Sequence, residues 1–149
     1  MREIKFRVLI DREMYYQDKY EAYGDNLSSI DICKETITIT SFYNYEDVYR
    51  FENEEVKLMQ YTGVKDKNGK EIYEGDIVLI KLDETSTWYK TVVGFKKGAF
   101  IANLIDKEDY VYIFHHGFTD DDFEIIGNVY ENKNLLEENK WANTKYIFL

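Results

Sequence analysis

Hydrophobic and polar residues alternate along most of this chain with a period of two, the pattern of strands that turn one face to a core. Ile4, Phe6, Val8 and Ile10 fall on one side while Lys5, Arg7 and Leu9 fall on the other, which predicts a half-buried first strand. Over residues 36–42 threonine and isoleucine alternate, placing Ile37 and Ile39 inward and Thr36, Thr38 and Thr40 outward. Residues 47–51 and 56–61 read as shorter strands. Residues 77–82 form an apolar run broken by Lys81, as expected of a central strand covered on both faces. Residues 88–95 and 99–105 flank a good hairpin turn at Lys96-Lys97-Gly98, residues 110–114 alternate again, and residues 123–130 close the series. The last five of these runs, at about ten-residue spacing, point to a small antiparallel barrel or sandwich.

The turn signals lie between these runs. Asn68-Gly69 supplies two residues tolerant of positive φ, as a two-residue type I′ hairpin demands. Lys65-Asp66-Lys67 and Lys70-Glu71 are then expected to face each other as exposed, oppositely charged arms. At Glu74-Gly75-Asp76 the glycine takes a bend and the aspartate can accept hydrogen bonds from nearby amides, a step familiar from SH3-like barrels. Residues 11–31 are irregular apart from a turn at Gly24-Asp25-Asn26. Asn134, followed by Leu135, Leu136 and Glu137, reads as the start of the one helix. The expected architecture is therefore mainly β. A β-rich subdomain over 1–60 precedes a small antiparallel SH3-like barrel with its hairpin over 61–138. A short C-terminal helix follows, and residues 139–149 form an apolar tail in want of a partner surface.

Composition narrows the functional classes. At 149 residues the chain can bury one core plus a satellite unit. Fourteen tyrosines suit half-buried sheets and also interfaces, where a ring packs while its hydroxyl stays wet. A net charge of −10 opposes duplex binding, which needs a clustered cationic face. Residues 1–60 carry 8 basic and 13 acidic side chains, residues 61–81 carry 4 and 4, and residues 82–149 carry 7 and 12. Only the middle block is neutral, so Tyr61, Lys65, Lys67, Asn68, Lys70 and Tyr73 are the interaction candidates there, joined by Trp141 in the tail. A single cysteine excludes an internal disulfide and fits a reducing compartment. The N-terminus lacks the apolar core of a signal peptide, and no run approaches the ~20 apolar residues of a membrane span, so a soluble cytoplasmic protein is expected.

Chemistry-bearing constellations are sparse. His115-His116 near Asp120-Asp121-Asp122 is the best metal candidate, but adjacent strand histidines point to opposite faces and an aspartate run is usually a solvated loop. Asp76, Asp106, Asp109 and Glu124 would have to converge to hold a divalent ion, and their spacing does not select them. Cys33, within Ile-Asp-Ile-Cys, reads as a buried, inert strand cysteine. No nucleophile elbow or phosphate-cradling loop is present. No enzyme activity, metal or cofactor is expected.

Three stretches together resemble one family. Met1-Arg2-Glu3-Ile4-Lys5-Phe6-Arg7 is similar to the start of YopX-family proteins of phages and prophages. Gln60-Tyr61-Thr62-Gly63-Val64-Lys65-Asp66-Lys67-Asn68-Gly69-Lys70-Glu71-Ile72-Tyr73-Glu74-Gly75-Asp76-Ile77-Val78 resembles that family's central motif almost letter for letter. Ile126-Gly127-Asn128-Val129-Tyr130-Glu131-Asn132, followed by Leu135-Leu136, resembles its closing motif, with Lys133 where proline is common. Residues 11–55 match no pattern of the family, and the tail from Lys140 extends past its usual end. The resemblance implies a mostly β fold and a phage-encoded intracellular protein, without a reaction or catalytic residues. Together with the tyrosines, acidity and tail, it leads to a non-enzymatic accessory protein acting through protein–protein contacts as a homo-oligomer. A host or phage protein is a further partner, for instance a host DNA-binding protein blocked by an acidic face that mimics nucleic acid. The alternative is a single-stranded nucleic-acid or nucleotide-binding β-barrel that uses the neutral hairpin and exposed tyrosines.

Overall fold

A computed structural model describes residues 3–17, 24–114 and 117–137. The chain divides into two compact units, Met1–Gln60 and Tyr61–Leu149.

In the first unit, β1 (Phe6–Ile10) and β2 (Glu13–Tyr16) form a hairpin whose two-residue turn is Asp11-Arg12. Both turn residues have positive φ, 43° and 75°. This is the type I′ geometry, built here without glycine. Neither residue announces it, which is why β2 is illegible in the sequence. β3 (Asn26–Asp31), β4 (Thr36–Thr40) and β5 (Glu46–Arg50) make an antiparallel meander in that order. β3 occupies part of a stretch that reads as irregular, because its Leu27-Ser28-Ser29-Ile30 sequence crosses a bulge between Leu27 and Ser29 that breaks the alternation. β6 (Val56–Lys65) pairs antiparallel with β1 from Phe6↔Gln60 to Ile10↔Val56. Val8, Ile10, Leu27, Ile37, Ile39 and Val56 form the core of this unit, with Ile37 and Ile39 inward as the alternation requires. Arg7 and Leu9 are buried as well, so β1, flanked by β2 and β6, is covered on both faces rather than half-buried.

In the second unit, the latter part of β6 pairs with β7 (Glu71–Tyr73). A five-stranded antiparallel sheet follows: β8 (Asp76–Ile80), β9 (Tyr89–Lys96), β10 (Ala99–Leu104), β11 (Tyr110–Tyr112) and β12 (Phe123–Asn128), in the order β11-β10-β9-β8-β12. The sheet curls as a half-barrel. All five residues of β8 are buried, as its continuous apolar run demands. Ile72, Val78, Ile80, Val93, Phe100 and Phe123 fill the core. Lys97 and Gly98 both have positive φ and join Lys96 to Ala99 in a two-residue I′ turn. Where a helix is expected from Asn134, the described residues show one 3₁₀ turn, Lys133–Leu136, that passes into extended backbone at Glu137. The tail over 139–149 lies outside the described residues.

Candidate functional site

The 61–81 block is built differently from two exposed charged arms. Gly69 has a φ of 80° while Lys67 and Asn68 keep negative φ. Asp66 N–H donates to Lys70 O (2.8 Å) and Gly69 N–H to Asp66 O (3.0 Å). That is a three-residue loop closed by a glycine bulge, not a two-residue I′ turn. Asp66 is only 1% exposed. Its Oδ1 accepts the Asn68 and Lys70 amides and its Oδ2 accepts the amide of Ile125 on β12. Lys67 N–H donates to Phe123 O at 2.9 Å. The Lys67 ammonium meets Glu124 at 2.9 Å and lies 5.3 Å from the Trp88 ring centroid. The hairpin is thus pinned to β12 by its own backbone and by two of its charges.

The Glu74-Gly75-Asp76 step performs the role its composition suggests. Gly75 has a φ of 83°, and Asp76, buried, accepts the Tyr73 amide at 2.8 Å. Gly75 N–H donates to Val93 O and Gly75 O accepts Val129 N–H, both at 2.9 Å. The bend therefore ties β9 to the closing motif. In that motif Asn128 Oδ1 accepts the Tyr130 and Glu131 amides, and Asn132 Oδ1 accepts the Asn128 amide. A Cβ on Gly127 would stand 2.5 Å from Asn132 Oδ1, so a side chain there would push Asn132 off the Asn128 amide it accepts. The second and third sequence motifs meet in space, and architecture accounts for their residues.

This decides where the candidate residues sit. Tyr61 and Tyr73 are buried with ring centroids 5.6 Å apart, so neither is a surface contact. Lys65, Lys70 and Asn68 are exposed along the ribbon, and Lys67 is engaged with Glu124. Trp141 lies outside the described residues.

The exposed aromatic surface is elsewhere. In the first unit, the β4–β5 turn carries Phe42, Tyr43 and Tyr45, with Val48 just beyond, at 59–76% exposure. In the second unit, Phe95 and Phe114 are exposed and flank the buried Phe100, their centroids 5.1 and 6.5 Å from its ring. Tyr110 and Tyr112 share one face of β11, 5.7 Å apart, with the Lys96 ammonium 4.7 Å from the Tyr110 centroid. A hydrogen bond with Tyr110 raises the Tyr112 hydroxyl above the usual tyrosine value. The one available signal was aromatics at turn positions, where Phe42-Tyr43-Asn44-Tyr45 cannot all point inward.

Two cavities accompany these surfaces. One, of about 750 Å³ in the first unit, is hydroxyl-rich, with Ser28, Ser29, Thr40 and Ser41 in its wall. The other, of about 690 Å³ in the second unit, has Leu82, Val111 and Phe118 with Lys81, Asp83 and Tyr112. Hydrogen bonds from the Thr85 side chain and amide hold the Asp83 carboxyl below its ordinary value.

Three of the four carboxylates suggested for a divalent ion have separate local partners. Asp76 accepts Tyr73, Glu124 holds Lys67 and Asp109 Oδ1 accepts the Tyr110 amide. Asp122 closes its own 3₁₀ turn by accepting the Thr119 amide, and His115 and His116 lie outside the described residues. Among the described residues no three acidic, histidine or cysteine side chains are grouped to hold a metal. Cys33 is exposed in the β3–β4 turn rather than buried in a strand. Its Ile-Asp-Ile context ends at Asp31, whose carboxylate caps the turn by accepting the Lys34 amide. No helix among the described residues is long and apolar enough to cross a membrane.

Comparison with known proteins places the geometry in a family. The protein yopX from Bacillus subtilis superposes with a TM-score of 0.64 at 26% identity, over 92% of this chain and 100% of that one. The protein EF1440 from Enterococcus faecalis shares the fold with a TM-score of 0.57 at 22% identity, over 92% of this chain and 100% of that one. No curated protein matches the chain. The family described as YopX protein matches residues 5–137, and with the anchored hairpin, the glycine bend and the closing motif assembled as above, this chain belongs to the YopX family.

Proposed function

We propose that this chain is a non-enzymatic, cytoplasmic accessory protein of a phage or prophage that works through protein–protein contacts and self-associates. Its scaffold is read as an SH3-like barrel, of which the curled five-stranded sheet is the main wall. One observation carries the reading: the motif residues Asp66, Asp76 and Asn128 are engaged in internal hydrogen bonds and Tyr61 and Tyr73 are buried, while large aromatics stand in solvent outside the motifs. Phe95 and Phe114 are 57% and 62% exposed at the rim of the second unit's core. Exposed aromatics grouped in this way favour burial against another protein. Light scattering coupled to size exclusion tests it. The expected mass is that of two or more copies, falling to one copy when Phe95→Ser and Phe114→Ser are combined. A clean monomer across a wide concentration range overturns self-association.

One feature favours the single-stranded nucleic-acid reading. Lys96 and Lys97 stand at the turn beside the Tyr110–Tyr112 pair, a cation next to stacking rings. Titration with a labelled oligonucleotide at low salt separates the two readings, because binding through Tyr110 and Tyr112 belongs to this alternative alone.

A further inference from the structure

β5 ends its sheet: the meander runs β3-β4-β5 with no further strand beyond β5 among the described residues. Which of its backbone groups are free follows from the hydrogen bonds at its two ends. Phe51 N–H donates to Glu35 O (2.9 Å) and Ser41 N–H donates to Tyr45 O (2.8 Å). Hydrogen-bonded pairs alternate in an antiparallel ladder, so Asp47 and Tyr49 turn their amides and carbonyls to β4. Glu46, Val48 and Arg50 turn theirs away, toward the open edge. Side chains do not close that edge, since Glu46, Asp47, Val48 and Arg50 are all exposed.

Two further properties of the segment state what it would accept. Tyr43 and Tyr45 stand 76% and 74% exposed at the start of the strand. Over residues 42–55 the acidic side chains are Glu46, Asp47, Glu52, Glu54 and Glu55, against Arg50 alone, whose guanidinium already meets Glu52 at 3.2 Å. Natural sheet edges are commonly blunted by charged side chains, lysine above all, by proline, by bulges or by shortness. This one has neither lysine nor proline, and its acids discriminate by the sign of the approaching charge. From this, and resting on the reading of the chain as a contact protein, we infer that the β5 edge captures an extended, lysine- or arginine-rich segment of a partner protein by adding it as a fourth strand. Main-chain hydrogen bonds to Glu46, Val48 and Arg50 give register. The tyrosine faces and the carboxylates select cationic side chains. A nucleic-acid strand is disfavoured by the same carboxylates.

The test uses the full chain and a fluorescein-labelled peptide of alternating lysine and threonine, read by anisotropy, with the glutamate–threonine peptide as control. The lysine peptide binds, the glutamate peptide does not, and raised salt weakens the complex. Val48→Pro removes an outward amide while the β4 ladder, which uses Asp47 and Tyr49, is retained, since edge strands tolerate proline on their solvent side. Affinity drops about tenfold or more in this variant, the scale of a lost charge-independent strand contact. Thermal unfolding reports whether Val48→Pro folds. If it does not, the double reversal Glu46→Lys with Asp47→Lys decides alone, with the same loss expected. Absence of binding to the lysine peptide, equal binding of the glutamate peptide, or undiminished affinity in the folded variants overturns the proposal. Light scattering of the same samples keeps this outcome distinct from a failure of self-association, because the Phe95 and Phe114 surface is untouched.

Discussion

At the scale of single residues, the chain places its unusual chemistry in structural service. Tyr15 is the clearest titrating example. Its hydroxyl donates to Glu13 Oε2 at 2.8 Å, and burial, followed by that carboxylate, pushes its pKa up to about 12. A phenol raised above its unfolded value of about 10 contributes stability that is complete below pH 10 and is lost as pH climbs toward 12. Denaturant titrations across that window should show unfolding free energy falling more steeply with pH in the parent protein than in Tyr15→Phe. Equal slopes would show that Tyr15 is not the linked group. Neither Tyr15 nor its partner is legible in a stretch that reads as irregular, because Glu13, two residues away, shares the face of Tyr15 only once residues 13–16 extend as β2. Asp66 shows the reverse: it is legible as a charged hairpin residue, yet its burial comes from β12, nearly sixty residues on.

The element scale is where local pattern succeeds or fails for identifiable reasons. β4 and β8 follow directly from alternation and from an unbroken apolar run. β2 was hidden by a turn of two non-glycine residues and β3 by a bulge. The two hairpin turns also differ from the simplest reading of their residues. Lys97-Gly98 adopts the I′ turn expected of Asn68-Gly69, whereas Asn68 stays in ordinary φ. The reason is Asp66, whose carboxylate takes the Asn68 and Lys70 amides and so stabilises a longer loop. Replacing Asp66 with alanine should destabilise the protein by about 2–4 kcal/mol, since three backbone donors lose a buried charged acceptor at once. Asp66→Asn, with one carbonyl oxygen left, should cost about half as much. Chemical denaturation measures both, and amide exchange at Ile125 reports the broken link to β12. A change below ~0.5 kcal/mol for Asp66→Ala would mean that the hairpin is not held in this way.

Over the whole molecule, net charge and exposed aromatics pull association in opposite directions. Copies carrying −10 repel one another, and that repulsion is screened within ~10 Å at 0.1 M salt. Raising NaCl to about 0.5 M should therefore strengthen self-association seen by light scattering while it weakens capture of a basic peptide at β5. Parallel weakening of both would point to an ionic rather than an aromatic self-contact. By itself the amino-acid order determined the mainly β class, the buried β4 and β8 cores, the glycine bend at Gly75 and the family motifs, because each depends on residues within a few positions of one another. Tertiary structure alone decided that the second and third motifs meet, that Tyr61, Tyr73 and Asp66 are buried, and that Cys33 is not. It also decided that, among the described residues, every exposed aromatic but Tyr130 lies outside the motifs, as does an open strand edge. Those outcomes turn on which strands become neighbours, and strand partnership is a long-range property that no window of sequence contains.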